Sequence, residues 1–115
     1  MARLNTDPFQ AIADTNRREI LMLLSAKKMS INALADNFDI SRPAVSKHIK
    51  VLQETGFVSI IDEGRERYCE LNPHGFDEVK QWIIFFEQFW KQKLQNLENL
   101  LDKRAKESND KTNQQ

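Results

Sequence analysis

"ISRPAVSKHIKVLQETGFV", residues 40–58, carries its apolar and its polar side chains on opposite sides of a helical period. Val45, Ile49 and Leu52 recur at spacings of four and three, which makes one inward stripe once the segment is helical. Ser41 can cap the helix, Pro43 is tolerated in its first turn, and Gly56 can end it in the left-handed region. Turning the stripe inward points Pro43, Ser46, Lys47 and Lys50 outward, with Arg42 and Ala44 at the flanks. These types suit a DNA major groove. Arg and Lys reach guanine O6/N7 or phosphate, serine pairs with phosphate or a base edge, and an alanine methyl packs on a thymine methyl. On an isolated helix the same face would be an ordinary solvated surface, so the neighbouring elements decide.

Upstream, Ser30 caps a third helix whose apolar residues Ile31, Leu34, Ala35 and Phe38 recur at i, i+3, i+4 and i+7. Asp39 to Ser41 interrupt it. Two helices of about eight and twelve residues joined by a tight turn are the helix-turn-helix pattern. Further upstream, Asp7-Pro8 starts a short helix to about Ala13. Asp14 or Thr15 caps a second, with Ile20, Leu21, Leu23 and Leu24 on its apolar face and Arg17, Arg18 and Glu19 exposed.

Downstream the period changes to two. "FVSIID" and "ERYCEL" read as strands, and Glu63-Gly64-Arg65 between them offers the glycine that a hairpin turn requires. Arg65 and Arg67 alternate with Glu63 and Glu66 and, by that period, share a face where they could straddle phosphates or reach a minor groove. The same charges would also guard a strand edge against pairing. Asn72-Pro73 breaks the hairpin, and a long helical pattern begins near His74. There Phe76, Val79, Ile83, Phe86, Trp90, Leu94, Leu97 and Leu101 are spaced 3, 4, 3, 4, 4, 3, 4. From Phe76 to Leu101 such a helix extends roughly 39 Å, which outruns a small domain. Its start therefore serves the monomer core, and Phe86, Phe89, Trp90, Leu94, Leu97 and Leu101 are assigned to an interface with a second subunit. The expected fold is mostly α with a small β-hairpin wing, in the order α-α-α-α-β-β-α, as one domain over 7–104. The polar 105–115 segment is expected to be a disordered tail.

The chain has 115 residues, enough for one domain with a modest core. Its 17 basic and 17 acidic residues sum to zero, but DNA affinity follows local phosphate neutralisation rather than the total. Cys69 is the one cysteine, so neither an intrachain disulfide nor a cysteine-rich metal framework can form. The N-terminus lacks the apolar run of a signal peptide, and no stretch of about 18 apolar residues occurs, which makes a cytoplasmic protein the expectation, with no membrane partner. There is no Gly-rich phosphate loop, nucleophile elbow or suitable carboxylate pair, so no enzymatic activity and no cofactor is expected.

With "AIADTNRREILMLL", "LADNFDISRPAVSKHIKVLQETGFV" and "EGRERYCELNP" in this order, the chain resembles the winged helix-turn-helix repressors of the ArsR/SmtB family over about Asp7 to Leu101. The recognition segment followed by the "GRERYCEL" wing is the specific part. The resemblance implies a homodimer on a roughly two-fold double-stranded DNA operator, with recognition helices in successive major grooves about 34–36 Å apart. It places Ser41, Arg42, Ser46, Lys47 and His48 on recognition-helix positions and Arg65 and Arg67 on the wing. Metal-sensing members carry a cysteine pair in the first helix of the helix-turn-helix, or His and carboxylate ligands on the last helix. Here the first location reads "INALADNF" and the last helix has no histidine after His74. The likeness is thus to the branch without metal ligands, which includes autorepressors of the SdpR type.

Two histidines and the thiol are weighed separately. His48 borders the buried stripe and is read as a core-edge or phosphate-facing group; His74, beside Pro73 and Gly75, suits a local turn. Cys69 in a strand is ordinarily a small apolar filler, and a sensing role needs exposure and a lowered pKa. Trp82, Phe85, Phe86, Phe89 and Trp90 are denser than a dimer seam requires, which leaves room for a small apolar ligand between helices. Three readings follow: a DNA-binding repressor, its own promoter among the candidate targets; a repressor gated by such a ligand or by Cys69, its inducer unknown; and a protein-interaction module that reuses the winged helix.

Overall fold

The structure, a computed structural model, describes residues 7–113, with side chains through residue 108. Helices α1 (Pro8–Ala11) and α2 (Thr15–Leu24) lead to a short strand β1 (Met29–Ser30), then to α3 (Ile31–Ala35) and α4 (Arg42–Glu54). Strands β2 (Val58–Glu63) and β3 (Glu66–Leu71) follow, then a 3-10 turn (Pro73–Phe76) and α5 (Asp77–Asn113).

The helix starts are set by the side chains expected to cap them. The carboxylate of Asp7 accepts from the Phe9 amide at 2.9 Å, that of Asp14 from the Arg17 amide at 3.1 Å, and Ser30 Oγ from the Ala33 amide at 3.1 Å. Each bond satisfies a first-turn N–H that has no partner inside its helix. At the other end of α4, the Phe57 amide reaches the Leu52 carbonyl at 2.9 Å and the Gly56 amide reaches that of Gln53 at 3.1 Å. With Gly56 at φ +88°, this is the Schellman ending, a conformation that a Cβ would strain.

The core gathers one face of every element before Lys80. Ile20, Leu21 and Leu24 of α2 are buried with Leu34 of α3, Val45, Ile49 and Leu52 of α4, Phe57, Val58, Cys69 and Val79. Phe57 is fully buried and meets Phe76 edge-on, with ring centroids 4.8 Å apart.

Three features differ from the sequence expectation. The hairpin is the larger part of a three-stranded antiparallel sheet of order β1-β3-β2, in which Met29 pairs with Cys69 and Ser30 with Tyr68. A two-residue strand carries no readable period, so only the docking of β3 reveals it. Helix α3 stops at Ala35, not near Phe38, because the amides of Asn37 and Phe38 turn to the carbonyls three residues back. Helix α5 continues to Asn113, through most of the segment expected to be a disordered tail. That stretch has no Pro or Gly and includes the good helix formers Ala105, Lys106 and Glu107; residues 114–115 lie outside the described residues.

The chain divides after Val79 into two units. The second unit is one helix, which cannot enclose a core by itself. Among the described residues no helix is long and apolar enough to cross a membrane.

Candidate nucleic-acid interface

Helix α4 is mounted by Val45, Ile49 and Leu52, all buried, which leaves Arg42, Lys47, Lys50 and Gln53 exposed on the opposite side. Its first turn is held at two points. Ser41 Oγ accepts from the Ala44 amide at 3.2 Å, and Arg42 Nε donates to Asn32 Oδ1 of α3 at 2.6 Å. The second bond ties the two helices of the helix-turn-helix across their turn.

The wing begins where the sequence places it, but with a tighter tip. Glu63 pairs with Glu66, so the loop is Gly64-Arg65, with Gly64 at φ +64° and Arg65 outside the positive region. Glycine first in a two-residue loop is the pattern of a II′ turn, whose twist matches the strands. Arg65 thus sits in the turn, and strand alternation does not govern its direction as the sequence reading assumed. Arg67 lies on β3 opposite Asp62, to which its Nε donates at 3.1 Å. Near its tip the wing is braced by the ion pair of Lys28 with Glu63, the Lys28 ammonium also lying 5.2 Å from the centre of the Tyr68 ring.

Between α4 and the wing runs a cleft lined by Ile31, Ser46, Ile49, Lys50, Gln53, Ile60 and Arg67. The fold therefore brings together three of the residues singled out from sequence: Ser46, Lys50 and Arg67. Ser41, Arg42, Ala44 and Lys47 lie outside the cleft, on the first turn and outer face of α4, and Arg65 is at the wing tip. Gln53 was missed. Its signal was present, since Ser46, Lys50 and Gln53 follow each other at spacings of four and three, a second stripe beside the buried one.

His48 takes a different place. Its ring is largely buried against α2, with Nδ1 3.1 Å from an Arg17 guanidinium nitrogen and Nε2 3.9 Å from Asp14 Oδ1. Arg17, expected to be exposed, is half-buried; its Nε donates to the Ala11 carbonyl at 2.6 Å. The Asp14 carboxyl is pushed up by desolvation, but the Arg17 amide, followed by the Coulombic pull of His48 and of Arg17, outweighs this and holds it below its ordinary 3.8. A folded-state pKa below the unfolded one means that this cap contributes above the ordinary carboxylate pKa and is lost as pH falls through the folded value. Asp14→Ala is accordingly expected to cost about 1 kcal/mol at neutral pH. In urea unfolding followed by circular dichroism, the gap from wild type should close in strong acid; a gap that persists there would refute the cap.

Cys69 is fully buried in β3, and desolvation pushes its thiol up to about 11. Thiol gating needs an exposed group with thiolate character, so the structure removes Cys69 from the sensor role left open by the sequence. His74 faces Asp77 at 3.5 Å on the surface, in the local turn expected for it. Among the described residues no three His, Cys, Asp or Glu side chains are grouped to hold a metal ion.

In the second unit, Phe86, Phe89, Trp90, Leu94, Leu97 and Leu101 are all exposed in the single chain. Trp82, Ile83, Phe86, Glu87 and Trp90 line an open apolar groove along α5. No soluble monomer needs so continuous an apolar strip on one helix.

Comparison with known proteins identifies the family. The family profile described as bacterial regulatory protein, arsR family, matches residues 14–59, from the cap of α2 into β2. The transcriptional repressor SdpR of Bacillus subtilis is 33% identical over 78 residues, which are 68% of this chain and 87% of that protein. The HTH-type transcriptional regulator Rv2034 of Mycobacterium tuberculosis is 33% identical over 94 residues, 82% of this chain and 85% of the relative. The crystal structure of an ArsR family transcriptional regulator superposes with a TM-score of 0.66 at 33% identity, covering 73% of this chain and 87% of that one. The chain is thus a winged helix-turn-helix member of the ArsR family.

Proposed function

We propose that the protein is a transcriptional repressor that binds double-stranded DNA as a homodimer on a two-fold operator. The observation that carries this reading is the cleft between α4 and the wing, where Ser46, Lys50, Gln53 and Arg67 converge beside the exposed Lys47 and Arg42. A cationic cleft flanked by a protruding helix fits a duplex: the helix enters the major groove and the wing follows the adjacent backbone. Lys47, Lys50, Arg65 and Arg67 supply phosphate contacts, and Arg42 and Ser46 reach base edges from the first half of α4. The exposed apolar strip of α5 supports the dimer, which presents two such helices to one operator. Repression follows by occlusion where the operator overlaps a promoter, the promoter of the protein's own gene being the first to examine.

The division of labour is testable by a gel-shift titration on that promoter fragment and on random duplex at several salt concentrations. Lys47→Ala should weaken both DNAs alike and reduce the salt slope by about one charge. Arg42→Ala should cost roughly 1–3 kcal/mol on the promoter and little on random DNA. Equal losses on both DNAs for both variants would refute the assignment. Absence of salt-dependent binding by the wild type would favour an interaction module instead.

A further inference from the structure

Helix α4 opens on an arginine that is held at both its backbone and its side chain. Arg42 is the first residue of the helix, directly after the Ser41 cap, whose Oγ accepts from the Ala44 amide at 3.2 Å. Its side chain is held from α3, where Asn32 Oδ1 accepts from Arg42 Nε at 2.6 Å. A guanidinium can only donate, so the amide oxygen is the atom that faces it. Both residues are exposed, and among the described residues neither terminal nitrogen of Arg42 has a hydrogen-bond partner in the chain. The bond at Nε thus leaves over the fork of terminal N–H groups, a donor pair that fits O6 and N7 of one guanine. Arg67 of the wing is held in the same manner, its Nε on Asp62 Oδ1 at 3.1 Å, but by an anion. That carboxylate offsets the charge of the arginine it holds. The Asn32 amide is neutral, so it fixes Arg42 without weakening its attraction for DNA.

We infer that Asn32 is a positioning residue that determines operator specificity through Arg42. A free arginine has several rotatable bonds, and ordering them on binding opposes the contact. Asn32 orders the guanidinium in advance. Removing it affects two kinds of contact unequally. Attraction to phosphate depends weakly on where a cation sits, whereas a hydrogen bond to a base edge weakens steeply once its angle is lost. A loosened Arg42 therefore still attracts any duplex but no longer selects one base pair.

The inference rests on the DNA-binding reading, in which Arg42 reaches a base edge, and the experiment keeps the two apart. Duplex enriched from a random-sequence library by the wild-type chain is compared with unselected duplex by fluorescence anisotropy, and the ratio of the two affinities is measured. Asn32→Ala should lower that ratio about fivefold, the weight of one hydrogen bond to an exposed charged group. Its affinity for unselected duplex and its salt slope should stay as in wild type, because no charge is altered. Alanine is the better helix former, so α3 should not be weakened. Asn32→Asp keeps the acceptor and should restore the ratio, while its added negative charge weakens both duplexes alike. The double variant Asn32→Ala/Arg42→Ala should discriminate no worse than Arg42→Ala, since Asn32 acts only through Arg42. Equal losses on both duplexes in Asn32→Ala would show that the bond only ties α3 to α4. A further fall of the ratio in the double variant would show that Asn32 touches DNA itself. Either result overturns the inference, as does an unchanged ratio in Asn32→Ala. Failure to enrich any duplex overturns the DNA-binding reading, and the inference with it.

Discussion

Gly75→Ala is expected to lower the thermal unfolding midpoint by roughly 10–20 °C, corresponding to about 3 kcal/mol for a domain of this size. A Cβ built on Gly75 would stand 2.2 Å from the Gly56 carbonyl oxygen and 2.7 Å from the Phe57 Cα. Both neighbours are backbone, so no side chain can swing aside. They also belong to the Schellman ending of α4, and the Asn72 amide bonds to the Phe57 carbonyl at 2.9 Å. Relieving the clash means separating the 3-10 turn from the end of the recognition helix, which would also disturb the Phe57–Phe76 ring pair. A melt followed by circular dichroism checks this. Gly64→Ala is the control: its Cβ would meet open space, and its φ of +64° makes it costly by only about 1 kcal/mol. A Gly75→Ala shift no larger than that of Gly64→Ala would show that the close approach is not rigid.

The double variant Phe86→Glu/Trp90→Glu is expected to be monomeric and to bind the promoter duplex at least about 100-fold more weakly. Both side chains are exposed in the single chain and line the apolar groove of α5, so their replacement should not empty the core before Val79. In a dimer they would be central aromatic anchors, the kind of residue that carries most interface energy. Two carboxylates placed there would be desolvated in each protomer with no partner. Losing the dimer removes the second half-site from the same binding event, which is the source of the expected fall. Sedimentation velocity gives the oligomeric state and anisotropy the affinity. A double variant that remains a dimer, or that binds DNA at full strength, would refute the assignment of this face.

Much of the scaffold is legible before any coordinates. Asp7, Asp14, Ser30 and Ser41 act as the caps that their positions announce, and Gly56 and Gly64 have the positive φ that the ends of a helix and a hairpin require. Val45, Ile49 and Leu52 are buried as their spacing demands. The outward residues of α4 follow from the same wheel, so Ser46, Lys47 and Lys50 could be singled out from sequence. Harder cases arise where a residue's neighbours along the chain say nothing about its neighbours in space. Arg17 reads as a surface cation on an amphipathic helix, and His48, 31 positions later, as a residue at a helix edge; only their contact shows what each does.

What the sequence by itself determined is therefore every feature written in local chemistry: helix caps, apolar periods of 3.6 and 2, the turn glycines and the outward charges of the recognition helix. Only the tertiary structure decided that Met29–Ser30 joins the wing, that Cys69 is sealed in the core, that Arg42 leans on Asn32 and that Gly75 must have no side chain. The physical reason is range. Caps and periods act over three or four residues and are encoded where they act, whereas a strand pairing, a hydrogen bond between helices or a close backbone approach exists only once distant segments have docked.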